Sequence, residues 1–116
     1  MLTAHHTIAF LVIASCLAAA VAGFVAYRRA AAGTAVAHLI ALAQTIVVAQ
    51  VALGLLLLSG GNRAVDRLHY AYGTFALLAV LSPWLYAPVD PRRRLAWFAG
   101  SALVTGALGA RAYMTA

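Results

Sequence analysis

The sequence predicts an all-α integral membrane protein, a single up-down-up-down bundle of four transmembrane helices over residues 1–116. Three observations lead there. The chain is 66% apolar and 9% charged with a mean hydropathy of +0.96, whereas soluble domains carry about 25% charged residues. Too little polar surface remains to cover a water-facing globule. The apolar residues fall into four segments of about 18–25 residues, the length an α-helix needs to cross the hydrocarbon core. The connections between them are short and hold nearly all the charge.

The first segment, about residues 7–27, ends in Arg28 and Arg29. Its "LAAAVAG" stretch resembles a signal-peptide cleavage region, but a signal peptide opens with a basic stretch and this chain opens "MLTAHH". A retained helix is expected. The second segment covers residues 34–58 and the third about 69–86, with Pro83 expected to kink or fray its last turn. The fourth covers about 95–113 and includes Arg111. Strands are excluded because only helices and closed barrels span a bilayer and no segment alternates with period two. Small-residue rows, Ala14, Ala18 and Ala22 on the first helix and Ala102, Gly106 and Ala110 on the fourth, read as packing surfaces.

All eight basic residues are arginine and the only acids are Asp66 and Asp90. Arginine in such a chain marks loops rather than nucleic acid, and no nucleic-acid partner is expected. The connections 28–33 and 87–94 hold five arginines, against Arg63, Arg67 and Arg111 elsewhere. The positive-inside rule then places those two connections in the cytoplasm. The expected location is the cell membrane, multi-pass, with both termini and the 59–67 loop outside. Lone Cys16 reads as a buried inert thiol.

Polar groups within a bilayer are costly and therefore informative. His5 and His6 open the first helix and His69 opens the third, so all three fall near the outer end; His38 falls near the other. Each is equally readable as a helix-end side chain in the headgroup zone, and for His38 that reading prevails. His5 and His69 stand out as a pair. Parallel helices one and three lie diagonally in a four-helix bundle, with neighbours about 8–10 Å apart. The diagonal gap is expected to be too wide for the imidazoles to touch and to suit a flat iron macrocycle ligated from both sides. Ala9 and Gly73 follow His5 and His69 at i+4, on the same helix face, and give a porphyrin a shallow floor. His6, followed by Phe10, is the reserve ligand.

Gln50 shares a face with Gly54 and suits an interhelical hydrogen bond or a cofactor edge; Gln44 points elsewhere. Arg63 and Arg67 are candidates to pair with Asp66 or with heme propionates. A copper or zinc site of His5, His6 and His69 is a further reading of the same residues. No nucleophile–base pair, carboxylate pair, phosphate loop or cysteine pair occurs, so the sequence holds no self-contained catalytic apparatus.

The stretch "QVALGLLLLSGGNRAVDRLHYAYG" resembles one four-helix half of the heme A synthase family, and small four-helix membrane cytochromes b are similar. That family has a Gln-x-x-Leu-Gly stretch, a loop, and a ligand histidine opening the next helix; here these fall on Gln50, Leu53, Gly54 and His69. Its preceding ligand helix starts with a pattern like His-x-x-Leu-Ala, which "HHTIA" matches from His5 through Ile8 and Ala9. The resemblance covers roughly residues 5–80. The family fuses two such bundles and carries an acidic residue near a ligand histidine, whereas this chain has one bundle and no glutamate. The resemblance therefore implies a heme b site of the non-catalytic kind. The expected functions are a heme b electron carrier or heme-holding module, or a cofactor-free structural or assembly subunit of a larger membrane complex. A redox protein, a quinone or such a complex is the expected partner besides the lipid bilayer.

Overall fold

A computed structural model of the chain describes residues 2–29 and 33–116. Its helices are α1 (Leu2–Arg28), α2 (Thr34–Ser59), α3 (Leu68–Leu81), a single turn α4 (Pro83–Tyr86) and α5 (Pro91–Met114). The described residues contain no strand. The expected all-α class is correct; two expected helix starts need correction, and the break expected at Pro83 is present.

The first helix begins at Leu2 rather than residue 7, so His5 and His6 lie inside it rather than at its tip. The third segment is interrupted. Pro83 has no N–H to continue the ladder, and α3 stops at Leu81, with α4 restarting after Ser82. The fourth helix begins four residues earlier than its apolar stretch. Asp90 caps it, its Oδ2 accepting from the Arg93 backbone N–H at 3.0 Å, and Pro91 occupies the first turn. This is a common helix start, and it draws Arg92–Arg94 into the helix.

Two helices, α1 and α2, are long and apolar enough to cross a membrane. The 14 residues of α3 rise only about 21 Å, and α5 includes four arginines.

Around the bundle the order is α1, α2, α3, α5, with α1 packed most extensively on α5 and α3 also on α5. Among the described residues α1 and α3 do not pack against each other, which makes them the expected diagonal pair. Packing between α2 and α3 is sparse. The tight α1–α5 seam uses small residues: a Cβ on Gly23 would lie 2.7 Å from Ala99 Cβ, and one on Gly106 would lie 3.3 Å from Cys16 Cβ. The α5 row Ala102, Gly106, Ala110 thus lies on or beside a packing face. The α1 row does not: Ala14 and Ala18 are exposed, and the buried face runs through Val12, Cys16, Ala19, Gly23 and Ala26. An alanine-rich helix offers small residues on several faces, so their spacing does not choose one. Cys16 is fully buried, as expected.

Two hydroxyls of α5 bond to backbone carbonyls, one within the helix and one across to α3. Thr105 donates to Ser101 O at 2.7 Å, and Ser101 donates across to Ala79 O on α3 at 2.6 Å.

Candidate functional site

The helix order sets one end of the bundle apart. The start of α1, the end of α2, the start of α3 and the end of α5 converge there, and three of the four histidines come with them. Sparse α2–α3 packing leaves a cavity of about 320 Å³ between these ends. From α1 it is lined by His5, His6, Ala9 and Val12; from α2, chiefly by Gln50, Val51 and Gly54. His69, Gly73 and Ala76 face it from α3, and Gly109 and Ala112 from α5. Such a size falls at the lower end of ligand pockets, about 300–1,000 Å³, and most of the wall is apolar.

His69 Nδ1 lies 2.7 Å from the Ala112 carbonyl oxygen. A carbonyl can only accept, so Nδ1 carries a proton, and in the neutral ring Nε2 is left with the lone pair. This second bond to a backbone carbonyl is the device that fixes tautomer and ring direction in metal-ligating histidines. His5 is buried, and its Nδ1 has no hydrogen-bond partner among the described residues. Its ring lies against α2, with Cε1 3.2 Å from where a Cβ on Gly54 would stand. Glycine at 54 is what admits the imidazole.

The ring centres of His5 and His69 are 6.0 Å apart with their planes at 74°. The expectation that the two rings stand too far apart to touch is corrected. Side chains reaching inward from both helices close the diagonal gap.

Gln50 serves the interhelical role expected of it. Its Nε2 donates to the His5 backbone carbonyl at 2.8 Å, and its buried Oε1 has no partner among the described residues. Gly73 faces open space, with nothing within 4 Å of an added Cβ. Ala9 lines the same cavity. His6 also borders it but is exposed, with its ring edge-on to Tyr113 at 6.3 Å. Phe10 packs on Tyr113 at 4.9 Å.

The arginines divide. Arg63 lines a smaller cavity beside His5, His6 and His69, but its Nη1 donates to Leu58 O at 2.8 Å and Asn62 O at 3.0 Å. Arg67 is exposed and borders neither cavity. Pairing with Asp66 is not what holds this loop: Asp66 Oδ1 accepts from the Leu68 N–H at 2.9 Å, as a turn into α3. The described residues form no cluster of three metal-ligating side chains, so His5, His6 and His69 do not assemble the copper or zinc site.

His38 is exposed, one turn into α2 at the opposite end. Gln44, near that end, bonds Val80 O at 3.4 Å and accepts from Trp84 Nε1 at 3.2 Å. Sequence reasoning passed over one contributor: Ala112 supplies its carbonyl, which no side-chain pattern signals. Gly54 was singled out for sharing a face with Gln50, and the structure adds that it makes room for His5.

Comparison with family models, with curated proteins and with solved structures finds no match to this chain.

Proposed function

We propose that this chain is a small integral membrane protein that binds heme b near its outer face through His5 and His69, as an electron carrier or heme-holding module. The membrane reading is supported by α1 and α2 and by the apolar side chains they leave exposed, among them Phe10, Leu17, Phe24, Leu42 and Leu55. Large exposed apolar surfaces mark contact with lipid or protein. The bundle is 47 Å long, comparable with the roughly 40–45 Å of a bilayer including headgroups. With α3 continued by α4, and α5 bounded by arginines at both ends, all four segments are proposed to lie in the membrane.

One observation carries the heme reading. Two histidines on helices that do not pack together bring their rings to 6.0 Å at a largely apolar cavity, with His69 held by a backbone carbonyl. His5 and His69 would hold the iron, and Ala9 and Gly73 would give the porphyrin its floor. When bound, heme supplies a one-electron couple whose potential follows from axial ligands and pocket polarity. Gln50 fixes the α1 backbone at His5 through its 2.8 Å bond. The wall around the two rings is largely apolar.

A reduced-minus-oxidised absorption spectrum of the protein purified from heme-replete cells tests this. The expected result is a six-coordinate, low-spin b-type spectrum with one heme per chain. A colourless protein that takes up no hemin would end the heme reading. The cofactor-free structural subunit would then replace it, a reading favoured by the two bonds that pin helices without any ligand, Gln50 to His5 O and His69 to Ala112 O.

Orientation is tested separately. A cysteine placed at Asn62, in the loop beside the histidines, should react with an impermeant maleimide on intact cells, and one at Pro91 should not. The reverse pattern would put the site on the cytoplasmic side and leave the bundle intact.

A further inference from the structure

At the end of the bundle away from His5, His6 and His69, five arginines from two distant parts of the chain meet. Arg28 and Arg29 close α1, and Arg92–Arg94 occupy the first turn of α5. A bond from Arg92 Nε to Tyr27 O at 3.0 Å ties the two ends together, with the Arg92 guanidinium 4.5 Å from the Tyr27 ring centre. Arg94 is held over Phe98 at 5.3 Å and Trp84 at 5.6 Å. Arg28, Arg29 and Arg93 are exposed. Asp90, the acid at this end, directs Oδ2 to the Arg93 backbone N–H.

Topology signalling accounts for arginines in a connection but not for their register. The N-terminal turn of a helix is the positive end of its dipole, where a cation is disfavoured. Three successive arginines there, beside two more at the end of α1, concentrate positive charge that the fold leaves largely uncompensated. Guanidinium groups match phosphate oxygens two at a time. The chain's two tryptophans, Trp84 and Trp97, are both exposed close to this cluster, as side chains at the headgroup level are.

We propose that Arg28, Arg29 and Arg93 form a binding surface for the phosphodiester of an anionic phospholipid, one headgroup bridging α1 and α5. The inference rests on the membrane reading but not on heme. Arg92 holds the two helix ends together and Arg94 adds charge, while the guanidiniums of Arg28, Arg29 and Arg93 contact the headgroup.

The test uses the full chain in vesicles and reads tryptophan fluorescence. Acyl-brominated phosphatidylglycerol is compared with acyl-brominated phosphatidylcholine at equal mole fraction. The anionic lipid should quench more strongly, and raised salt should shrink the difference by screening. Arg93→Gln should lower the preference about fivefold, as expected for one arginine at an anionic surface. The triple change of Arg28, Arg29 and Arg93 to Gln should abolish it. Should the triple variant fail to insert, the Arg93→Gln and salt results decide. Equal quenching by the two lipids, or a preference indifferent to these changes, would overturn the proposal while leaving the membrane reading standing. Loss of the preference on adding millimolar inorganic phosphate would assign the surface to the free anion instead. Absence of quenching by either lipid would overturn both readings.

Discussion

His69→Ala should cost the protein its heme, or leave a high-spin iron with one protein ligand. His5→Ala should do the same. The argument begins with what each substitution leaves untouched. The bond that ties α2 to α1 runs from Gln50 to the backbone carbonyl of His5, not to its ring, so it survives His5→Ala. His69→Ala removes the bond to Ala112 O, yet α3 and α5 remain packed along their length and joined by Ser101 and Ala79. Neither change should unfold the bundle, and helical content by circular dichroism should be retained. The spectral effect should be large, since loss of an outer-shell partner already costs about 10–100-fold in metal affinity and these are the proposed ligands themselves. His38→Ala should leave the spectrum unchanged, because that side chain is exposed at the other end of α2. His6→Ala should be equally silent. If His6→Ala removes the low-spin spectrum and His5→Ala does not, the neighbouring ring is the ligand and the site must be redrawn around Tyr113.

The fold class and the pairing of ends were legible in the sequence because hydrophobic length and short connections leave a chain few choices. The helix limits were less so. Apolar runs report where lipid or core is expected, whereas helices start and stop at local signals such as Asp90–Pro91 and Pro83. The α1 packing face was misplaced for a different reason. Alanine at 14, 18 and 22 has the same spacing as a packing row, but the face is selected by contact with α5, through Gly23 against Ala99 and Cys16 against Gly106.

The histidine pair could be read from helix ends and direction, but its separation could not. Rotamers decide whether side chains on a diagonal meet, and those depend on neighbours such as Gly54 and Ala112. Of the roles suggested for Arg67, the pairing with Asp66 is not formed: Asp66 turns to the Leu68 N–H, and Arg67 is exposed.

Gly73→Leu and Gly23→Leu should separate the site from the scaffold, with opposite readouts. Both glycines lie within helices, where leucine is intrinsically better by up to about 1 kcal/mol. At Gly73 that gain meets no opposition at Cβ, since nothing stands within 4 Å. The variant should fold at least as stably as the parent, but its side chain would fill the face proposed to carry the porphyrin. Hemin titration should therefore show weakened binding with both ligands still present. At Gly23 the Cβ alone would fall 2.7 Å from Ala99 Cβ and 3.5 Å from Ala99 Cα. A helix backbone cannot swing aside as the tip of a lysine would, so α1 and α5 must part. Parting also loosens Val12 against Gly109 and Cys16 against Gly106. Overpacking of this kind costs typically about 1–3 kcal/mol, which outweighs the propensity gain. Gly23→Leu should then lower the midpoint of denaturant-induced unfolding in micelles, whether or not heme is present. A Gly73→Leu protein that binds hemin as tightly as the parent would show that the porphyrin does not rest on α3. A Gly23→Leu protein of parental stability would show that the close α1–α5 approach is not what holds the bundle together.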